Sequence, residues 1–152
     1  MITGRLARAD CESLPFHTGV FDLAICSFAL GHIRDMGLMA RELARVTSPT
    51  ADLFVSDLHP EAYDRGWRVG FREQSRTVQI ETQPRAPEEI VRLFNSHGFE
   101  CLRQDTLWLG EPEKPLFVRA GKSAAFAGAC ESPAVIFFHF RRFMAPIQVP
   151  ET

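Results

Sequence analysis

Two apolar runs in the first half of the chain constrain the fold more than any other feature. Residues 21–28 and 51–57 are almost continuously apolar, which is typical of strands buried on both faces of a parallel sheet. Between them, Asp35 can cap a helix whose apolar residues recur at helical spacing as far as Val46. A strand, a helix and a strand within about 37 residues predict a βαβ unit with a right-handed crossover.

Further elements extend this pattern along the chain. We predict a short strand over residues 5–9, a helix from Pro87 to a stop at Gly98, strands over 99–109 and 133–140, and a short alanine-rich helix over 121–130; their composition and terminal signals support each assignment. The strands alternate with helices and finish with two strands joined by a long connection. The sequence therefore predicts an open α/β sheet with helices packed on it and a closing antiparallel strand pair.

Polar residues stand where several of these strands end. Asp10 follows the first strand, Ser27 and His32 follow the second, and Asp57 and His59 follow the third. Ligands of open α/β sheets bind beyond the carboxyl ends of the strands. These strand tips are therefore the first places in which to expect function.

Composition excludes several classes of protein. The chain has 152 residues, with 17 basic against 19 acidic side chains and a formal charge of −2, so it has no net attraction for nucleic acid or anionic membrane. It lacks a signal-peptide pattern and an apolar run near the ~18 residues of a membrane span, which predicts a cytoplasmic protein. The four cysteines form no C-x-x-C pair, and we predict reduced thiols and no metal site.

Five short motifs follow one another in the chain. They are Asp10 before Leu14-Pro15-Phe16, the Phe21-Asp22-Leu23 strand, the Leu30-Gly31-His32 turn, the helix Arg41-Glu42-Leu43-Ala44-Arg45-Val46, and Ser56-Asp57 after the next strand. In this order they resemble the class I S-adenosylmethionine-dependent methyltransferases, in particular the small-molecule, methyltransferase type 11-like branch. The resemblance covers nearly the whole chain and implies strands 3 to 7 of the family's seven-stranded, Rossmann-like sheet.

The resemblance implies a set of residues that bind S-adenosyl-L-methionine. Asp10 would accept a hydrogen bond from the adenine amino group, and the backbone of Cys11 would meet the edge of the ring. Cys26 and Ser27 would lie near the methionine part of the cofactor. For Asp10 alone, a turn or capping acid is the competing interpretation.

Three residues are candidates for catalytic roles, although the family it resembles has no fixed catalytic residue. His32 would lie close to the transfer site, as a base, a polar contact or a support for its loop. Asp57 would lie near the mouth of the site or be an ordinary solvated acid. His59 would either reach a substrate or cap a loop.

Residues 59–86 occupy the place where the family often carries a substrate lid. Arginines and aromatic residues interleave here, and they suit a planar or anionic substrate through stacking and bidentate pairing. The alternative is an amphipathic segment whose aromatic residues pack on the core. The candidate lid residues are Tyr63, Trp67, Arg68, Phe71 and Arg72.

Two departures from the family pattern stand out. The corner before residues 51–57 usually contains Lys-Pro-Gly-Gly, whereas this chain has Ser48-Pro49-Thr50-Ala51 and so lacks residues that easily adopt positive φ. The glycine-rich cofactor loop that follows the family's first strand is also missing, so residues 1–152 are expected to form a single, N-terminally truncated methyltransferase-like domain. In such a sheet, strand 21–28 would expose an apolar edge that invites a second copy or a partner strand.

The leading functional prediction is methyl transfer from S-adenosylmethionine to a small-molecule acceptor, if the chain is completed or supported by a partner. Such transfer depends mainly on proximity and orientation. The first alternative is a catalytically inactive methyltransferase-like fragment that serves as a binding or dimerisation module. A weaker alternative is another α/β enzyme that uses Asp57 and His59 for acid-base chemistry, although the chain lacks the G-x-S-x-G motif of a hydrolase.

Overall fold

The computed structural model describes residues 6–74 and 76–143, and for Arg72 the backbone alone. The strands are β1 (Phe21–Ser27), β2 (Thr47–Leu58), β3 (Gly70–Glu73), β4 (Arg76–Gln79), β5 (Phe99–Trp108) and β6 (Pro133–Arg142). The helices are α1 (Met36–Val46), α2 (Pro60–Asp64), α3 (Pro87–Ser96), α4 (Lys114–Arg119) and α5 (Phe126–Ala129). The described chain therefore mixes helices and strands as its sequence predicts.

Four of these strands form the main sheet, in the order β1-β2-β6-β5. β1 runs parallel to β2, whereas β6 runs antiparallel to both β2 and β5. The carboxyl ends of β1, β2 and β5 consequently lie at one edge of the sheet, which we call the carboxyl edge. The predicted α/β sheet and its closing antiparallel pair are confirmed, and β3 and β4 form a separate hairpin.

The first helix begins as its sequence predicts. The Asp35 side chain accepts a hydrogen bond from the Leu38 backbone N–H at 2.9 Å, which satisfies a donor that the first helical turn leaves free. One face of α1 then buries Met36, Met39 and Ala40. The cap fixes where the helix starts, and its apolar face fixes how the helix lies on the sheet.

One face of the sheet carries the hydrophobic core. Alternate residues of β2 and β6 point toward α1 and α3, where Phe94 and Phe140 pack with ring centroids 4.8 Å apart. Phe94 also meets Phe99 edge to face at 5.8 Å. Burying one such side chain stabilises the fold by about 1.5–3 kcal/mol. This aromatic layer holds the strands that present the carboxyl edge.

The opposite face of the sheet is less covered. On β1, Leu23 is 51% exposed and Ile25 is 70% exposed. Phe54 and Phe137 stack on this face with centroids 5.9 Å apart and remain partly exposed. β1 is the terminal strand of the sheet, so the apolar edge predicted for residues 21–28 is present.

Two elements differ from their sequence predictions. The strand predicted over residues 5–9 does not form in residues 6–9, which are exposed and have no regular structure, while residue 5 lies outside the described residues. A β-prone run requires a partner strand, and none pairs with these residues in the described chain. In addition, α4 begins at Lys114, in a segment to which the sequence analysis assigns neither a helix nor a strand, and Pro115 fits the first turn of this helix.

The corner that lacks the family's glycines is strained. Thr50 has φ +70°. Left-handed backbone is uncommon outside glycine and a genuine outlier for a β-branched residue. The strand β2 already begins at Thr47, so the strain lies within the strand, next to a register shift between β1 and β2. The departure noted in the sequence thus has a direct structural consequence.

Candidate functional site

Asp10 stands at the start of a tight turn. Its Oδ1 accepts a hydrogen bond from the Glu12 backbone N–H at 3.0 Å, and its backbone oxygen accepts one from the Ser13 N–H at 3.1 Å. Oδ2 has no hydrogen-bond partner in the described part of the chain, and the residue is exposed. Asp10 therefore shapes the turn with one oxygen and leaves the other free to accept a hydrogen bond.

Helix α1 holds the loop that follows this turn. Glu42 accepts the Leu14 backbone N–H through Oε2 at 2.9 Å, and Arg45 donates to the Leu14 backbone oxygen at 2.9 Å. Glu42 and Arg45 also pair with each other at 2.7 Å. Hydrogen bonds from Arg45 and from the Leu14 N–H lower the pKa of Glu42 to about 2. Two of the sequence motifs, the Leu-Pro-Phe loop and the Arg-Glu helix, are thus in direct contact.

The end of β1 is tied to the end of β2. The Ser27 hydroxyl lies 2.9 Å from the Ser56 hydroxyl, and the Phe28 N–H donates to the Ser56 backbone oxygen at 2.7 Å. Phe28 has φ +51°, which is rare for a bulky residue. Strain of this kind clusters at functional sites and persists only when the surrounding contacts hold it in place.

The structure brings Cys11, Cys26 and Asp57 together. Burial, followed by the negative charge of Asp57 and the nearby Cys11 thiol, raises the pKa of Cys26 to about 11. Burial and the neighbouring charges of Asp10 and Glu12 also raise the pKa of Cys11. Both thiols therefore keep their protons at neutral pH. Reactivity of a cysteine requires the thiolate, so these two act as packing groups of the carboxyl edge.

Asp57 uses both carboxylate oxygens on backbone groups. Oδ2 accepts the Gly31 N–H at 3.1 Å and Oδ1 accepts the Leu58 N–H at 2.7 Å. The first bond crosses from β2 to the turn of residues 30–32 that follows β1. Asp57 therefore links the ends of β1 and β2 by hydrogen bonds in this structure. The sequence had left two roles open, a residue near the mouth of the site or an ordinary solvated acid.

The two candidate histidines lie in different settings. His32 ends the turn of residues 30–32 and is exposed. His59 is the N-cap of α2, where its Nδ1 accepts the Glu61 N–H at 3.2 Å. No hydrogen bond links His32, Asp57 and His59 to one another in the described chain. The capping interpretation of His59 agrees with this geometry.

Residues 59–86 form α2, the β3-β4 hairpin and an extended stretch that returns to α3. The Arg68 guanidinium lies 3.7 Å from the centre of the Tyr63 ring and donates to the backbone oxygens of Tyr63 and Trp67, both at 2.6 Å. Trp67, Arg68 and Phe71 line an open cleft, whereas Tyr63 lines a smaller inner cavity beside Asp57. The side chain of Arg72 lies outside the described residues.

The sequence analysis assigned no site role to three residues of this edge. Phe28 and Ser56 contact each other through the backbone, and Gly31 supplies the amide held by Asp57. A segment at Gln83 also crosses the turn, since its N–H donates to the Gly31 oxygen at 3.1 Å, and a Cβ on Gly31 would lie 3.2 Å from Thr82. Gly31, which lies between two strand ends, was the feature of the sequence that could have indicated this close contact.

Comparison with known proteins relates this chain to methyltransferases. The family model of a methyltransferase domain matches residues 3–55, which include Asp10, Cys26 and Ser27. Among solved structures, an S-adenosylmethionine-dependent methyltransferase from Mesorhizobium loti superposes with a TM-score of 0.64 at 17% identity, over 90% of this chain and 68% of that one. Residues 3–55 therefore match a methyltransferase domain, and the described chain has the fold of S-adenosylmethionine-dependent methyltransferases. The resemblance found in the sequence is confirmed at this level, and the matched domain and fold imply S-adenosylmethionine as the cofactor.

Two other proteins that this chain is similar to differ from each other in activity. The sterol 4-C-methyltransferase strm-1 of Caenorhabditis elegans is 32% identical over 54 residues, which are 36% of this chain and 16% of that protein. The [4+2]-cyclase SpnF superposes with a TM-score of 0.62 at 18% identity, over 91% of this chain and 56% of that one. One fold thus carries more than one reaction, so function has to be argued from the site.

Two features are absent from the described residues. No helix in residues 6–74 and 76–143 is long and apolar enough to cross a membrane. Within the same residues, no three or more histidine, cysteine, aspartate or glutamate side chains are grouped so that they could hold a metal ion.

Proposed function

We propose that this chain is a methyltransferase that binds S-adenosylmethionine at the carboxyl edge and transfers its methyl group to a small molecule. The observation that carries the proposal is the convergence of the Cys11 loop on the end of β1. Cys11 and Cys26 pack against the same hydrophobic cluster, and Glu12 accepts the Asp35 N–H at 3.1 Å. The family assigns cofactor contacts to these same two segments. Their proximity is what a shared cofactor site requires.

The residues of this edge fit the cofactor chemically. The free Oδ2 of Asp10 can accept a hydrogen bond from the adenine amino group, since a carboxylate is a strong acceptor for such a donor. Cys11 would bound the ring, and the ends of β1 at Cys26 and Ser27 would line the methionine part. Neutral thiols suit that place because they add no charge beside the cofactor.

The chain's contribution to the reaction is positioning. When bound, the cofactor supplies an electrophilic methyl group on a sulfonium centre. The hydrogen bonds of Ser27 and Asp57 hold the ends of β1 and β2 in one geometry. Methyl transfer gains most from such proximity and orientation of the reacting groups. His32 is exposed beside these ties and is the side chain we propose as a polar contact or base for a protonated acceptor.

Calorimetric titration with S-adenosylmethionine tests the proposal. We expect submillimolar binding that weakens about tenfold in Asp10→Asn, because a charge-assisted hydrogen bond is lost. This variant keeps Oδ1, so the turn at Glu12 survives. Asp22→Asn is the matched control, since Asp22 lies at the other end of β1 and its Oδ1 accepts the Ser48 hydroxyl at 2.6 Å. Absence of binding at millimolar cofactor would refute a working site in this chain.

The uncovered face of the sheet favours a second candidate function, a non-catalytic dimerisation module. Antiparallel pairing of β1 with its own copy around Ala24 would set Leu23 of one chain opposite Ile25 of the other. These are the two most exposed apolar side chains of the strand, and directly opposed apolar pairs stabilise a sheet. A twofold interface of this kind is self-complementary.

Sedimentation over a range of concentrations separates this candidate from the first. The dimer should dissociate in Ile25→Lys, because each lysine would be buried opposite Leu23 of the other chain. Val118→Lys serves as control, since Val118 is 58% exposed on α4, away from β1. A wild-type chain that stays monomeric throughout excludes the dimer and leaves the cofactor proposal intact.

A further inference from the structure

An open cleft of the described chain lies between the two long connections of the sheet. One wall draws its residues from positions 65–71 and 77–79, which follow β2, and the other from positions 116–129, which follow β5. The ends of these strands are aligned, because Leu58 and Leu107 both pair with Val135 of β6. The cleft therefore opens from connections that leave the carboxyl edge. Its volume is about 1070 Å³, enough for a small organic ligand.

The cleft has an asymmetric charge. Three basic residues line it, namely Arg65, Arg68 and Lys122, and no acidic residue does so within the described chain. Arg65 and Lys122 are exposed, and neither forms a salt bridge with the described residues. The whole protein is slightly acidic, so this concentration of positive charge is a local feature. Charge of one sign in a cleft raises the local concentration of ligands of the opposite sign.

Arg68 is held in place before any ligand arrives. Its Nη1 donates to two backbone oxygens at 2.6 Å, and its plane rests 3.7 Å from the centre of the Tyr63 ring. Nε and Nη2 make no hydrogen bond to the described chain. A fixed guanidinium with free donors can bind a carboxylate with little loss of side-chain entropy.

The walls of the cleft suit a flat, apolar body. Trp67 and Phe71 present aromatic surface on one side, and Phe71 is 52% exposed. The facing wall includes Ala120, Ala125 and Gly128, whose small side chains leave room. A Cβ added to Gly128 would meet nothing within 4 Å. Aromatic surface opposite small residues fits a planar ring system.

We propose that this cleft binds the methyl acceptor and that the acceptor is a planar aromatic carboxylate. The carboxylate would pair with Arg68, supported by the charges of Arg65 and Lys122, and the ring would stack on Trp67. The assignment of the ligand as an acceptor rests on the proposed methyl transfer. The binding of an aromatic carboxylate does not.

Calorimetry with naphthalene-2-carboxylate and its neutral match, naphthalene-2-carboxamide, tests the charge preference. Both are titrated into the full chain, with and without S-adenosylhomocysteine, so that a missing cofactor site and a missing acceptor site give different results. We expect the carboxylate to bind about tenfold more tightly than the carboxamide.

Two variants remove single charges without touching the packed core. Arg65→Gln and Lys122→Gln should each lower affinity for the carboxylate and leave that for the carboxamide unchanged. Arg119→Gln is the control, because Arg119 is an exposed base at the end of α4 that does not line the cleft.

A third variant tests the shape of the cleft. Gly128→Phe should abolish binding of both probes, since the phenylalanine ring would fill the space that Gly128 leaves open.

Two outcomes would overturn the proposal. These are equal affinity for carboxylate and carboxamide, and no binding of either probe at millimolar concentration. S-adenosylmethionine can still bind when either of these outcomes is observed. Conversely, the carboxylate can bind to a chain that does not bind S-adenosylmethionine. The acceptor cleft and the methyltransferase proposal can therefore fail separately.

Discussion

Arg45 donates a hydrogen bond from Nη1 to the backbone oxygen of Phe16 at 2.7 Å, although 29 positions separate the two residues. Together with the bonds of Arg45 and Glu42 to Leu14, this contact fastens the loop after the Asp10 turn to α1. The geometry of a candidate cofactor residue thus depends on a helix that does not itself contact the proposed adenine site.

Replacing Arg45 should loosen this loop. In Arg45→Met the backbone oxygens of Leu14 and Phe16 lose their donors, and Arg45→Lys should restore little because an ammonium lacks the guanidinium fork. Hydrogen exchange should become faster across residues 12–16 in both variants. Arg41→Met, on the exposed side of the same helix, should leave exchange unchanged. Unaltered exchange in Arg45→Met would show that the loop holds its shape without α1.

Glu42 should make the fold sensitive to acid. Its pKa is lowered from 4.5 to about 2 by Arg45 and the Leu14 N–H, so the ionised form favours the folded state. This contribution is present above the unfolded pKa and is lost as pH falls from about 4.5 toward 2. Free energies of unfolding measured from pH 6 to 2 should therefore fall less steeply in Glu42→Gln than in the wild type. Glu100→Gln is an exposed control and should keep the wild-type slope.

Asp57 should matter for stability even without a catalytic role. Asp57→Ala leaves the amides of Gly31 and Leu58 without their acceptor, which should lower the free energy of unfolding by about 1–3 kcal/mol. Asp57→Asn keeps one side-chain oxygen and should lower it less. Urea denaturation measures both values. Equal free energies of unfolding for Asp57→Ala and the wild type would contradict a stabilising role of the Asp57 hydrogen bonds between the strand ends.

The Cys26 thiol should react slowly with alkylating agents. A pKa of about 11, against 9.0 for an ordinary thiol, reduces the thiolate at pH 8 to about one hundredth. Labelling by iodoacetamide, followed by mass spectrometry of the Cys26 peptide, should therefore be about that much slower than for a cysteine in an unstructured peptide. Asp57→Asn removes a charge that raises this pKa and should speed the reaction. An unchanged rate would remove Asp57 from the causes of the shift.

Local patterns were sufficient to predict much of the fold. The period of the apolar residues and the Asp35 cap locate α1, and Pro87 with two following acids locates the start of α3. The strand predicted over residues 5–9 fails because its pairing depends on a neighbour that local sequence does not specify. α4 was missed because its opening residues, Lys114-Pro115, are as common in loops as in first helical turns.

The candidate site was only partly accessible from sequence. Strand-end position predicted that Ser27 and Asp57 lie at one edge, because parallel strands share their carboxyl ends. The same argument does not hold for Asp10, because the strand expected before it does not form in residues 6–9. The partners of Asp57 could not be predicted, since Gly31 is 26 positions away and becomes a neighbour through the crossover of the βαβ unit. The same holds for Arg68, whose stacking on Tyr63 depends on the turn between them.

Thr50→Gly should stabilise the chain, because the backbone at this corner already adopts the conformation that glycine favours. Thr50 has φ +70° and is exposed, and left-handed backbone costs an ordinary residue about 1–2 kcal/mol. The greater freedom of an unfolded glycine offsets about 0.5–1 kcal/mol of that gain. Urea denaturation should therefore show a net gain of up to about 1 kcal/mol. Thr18→Gly, at an exposed threonine without positive φ, should instead destabilise, and a loss at both positions would mean that Thr50 makes a compensating contact.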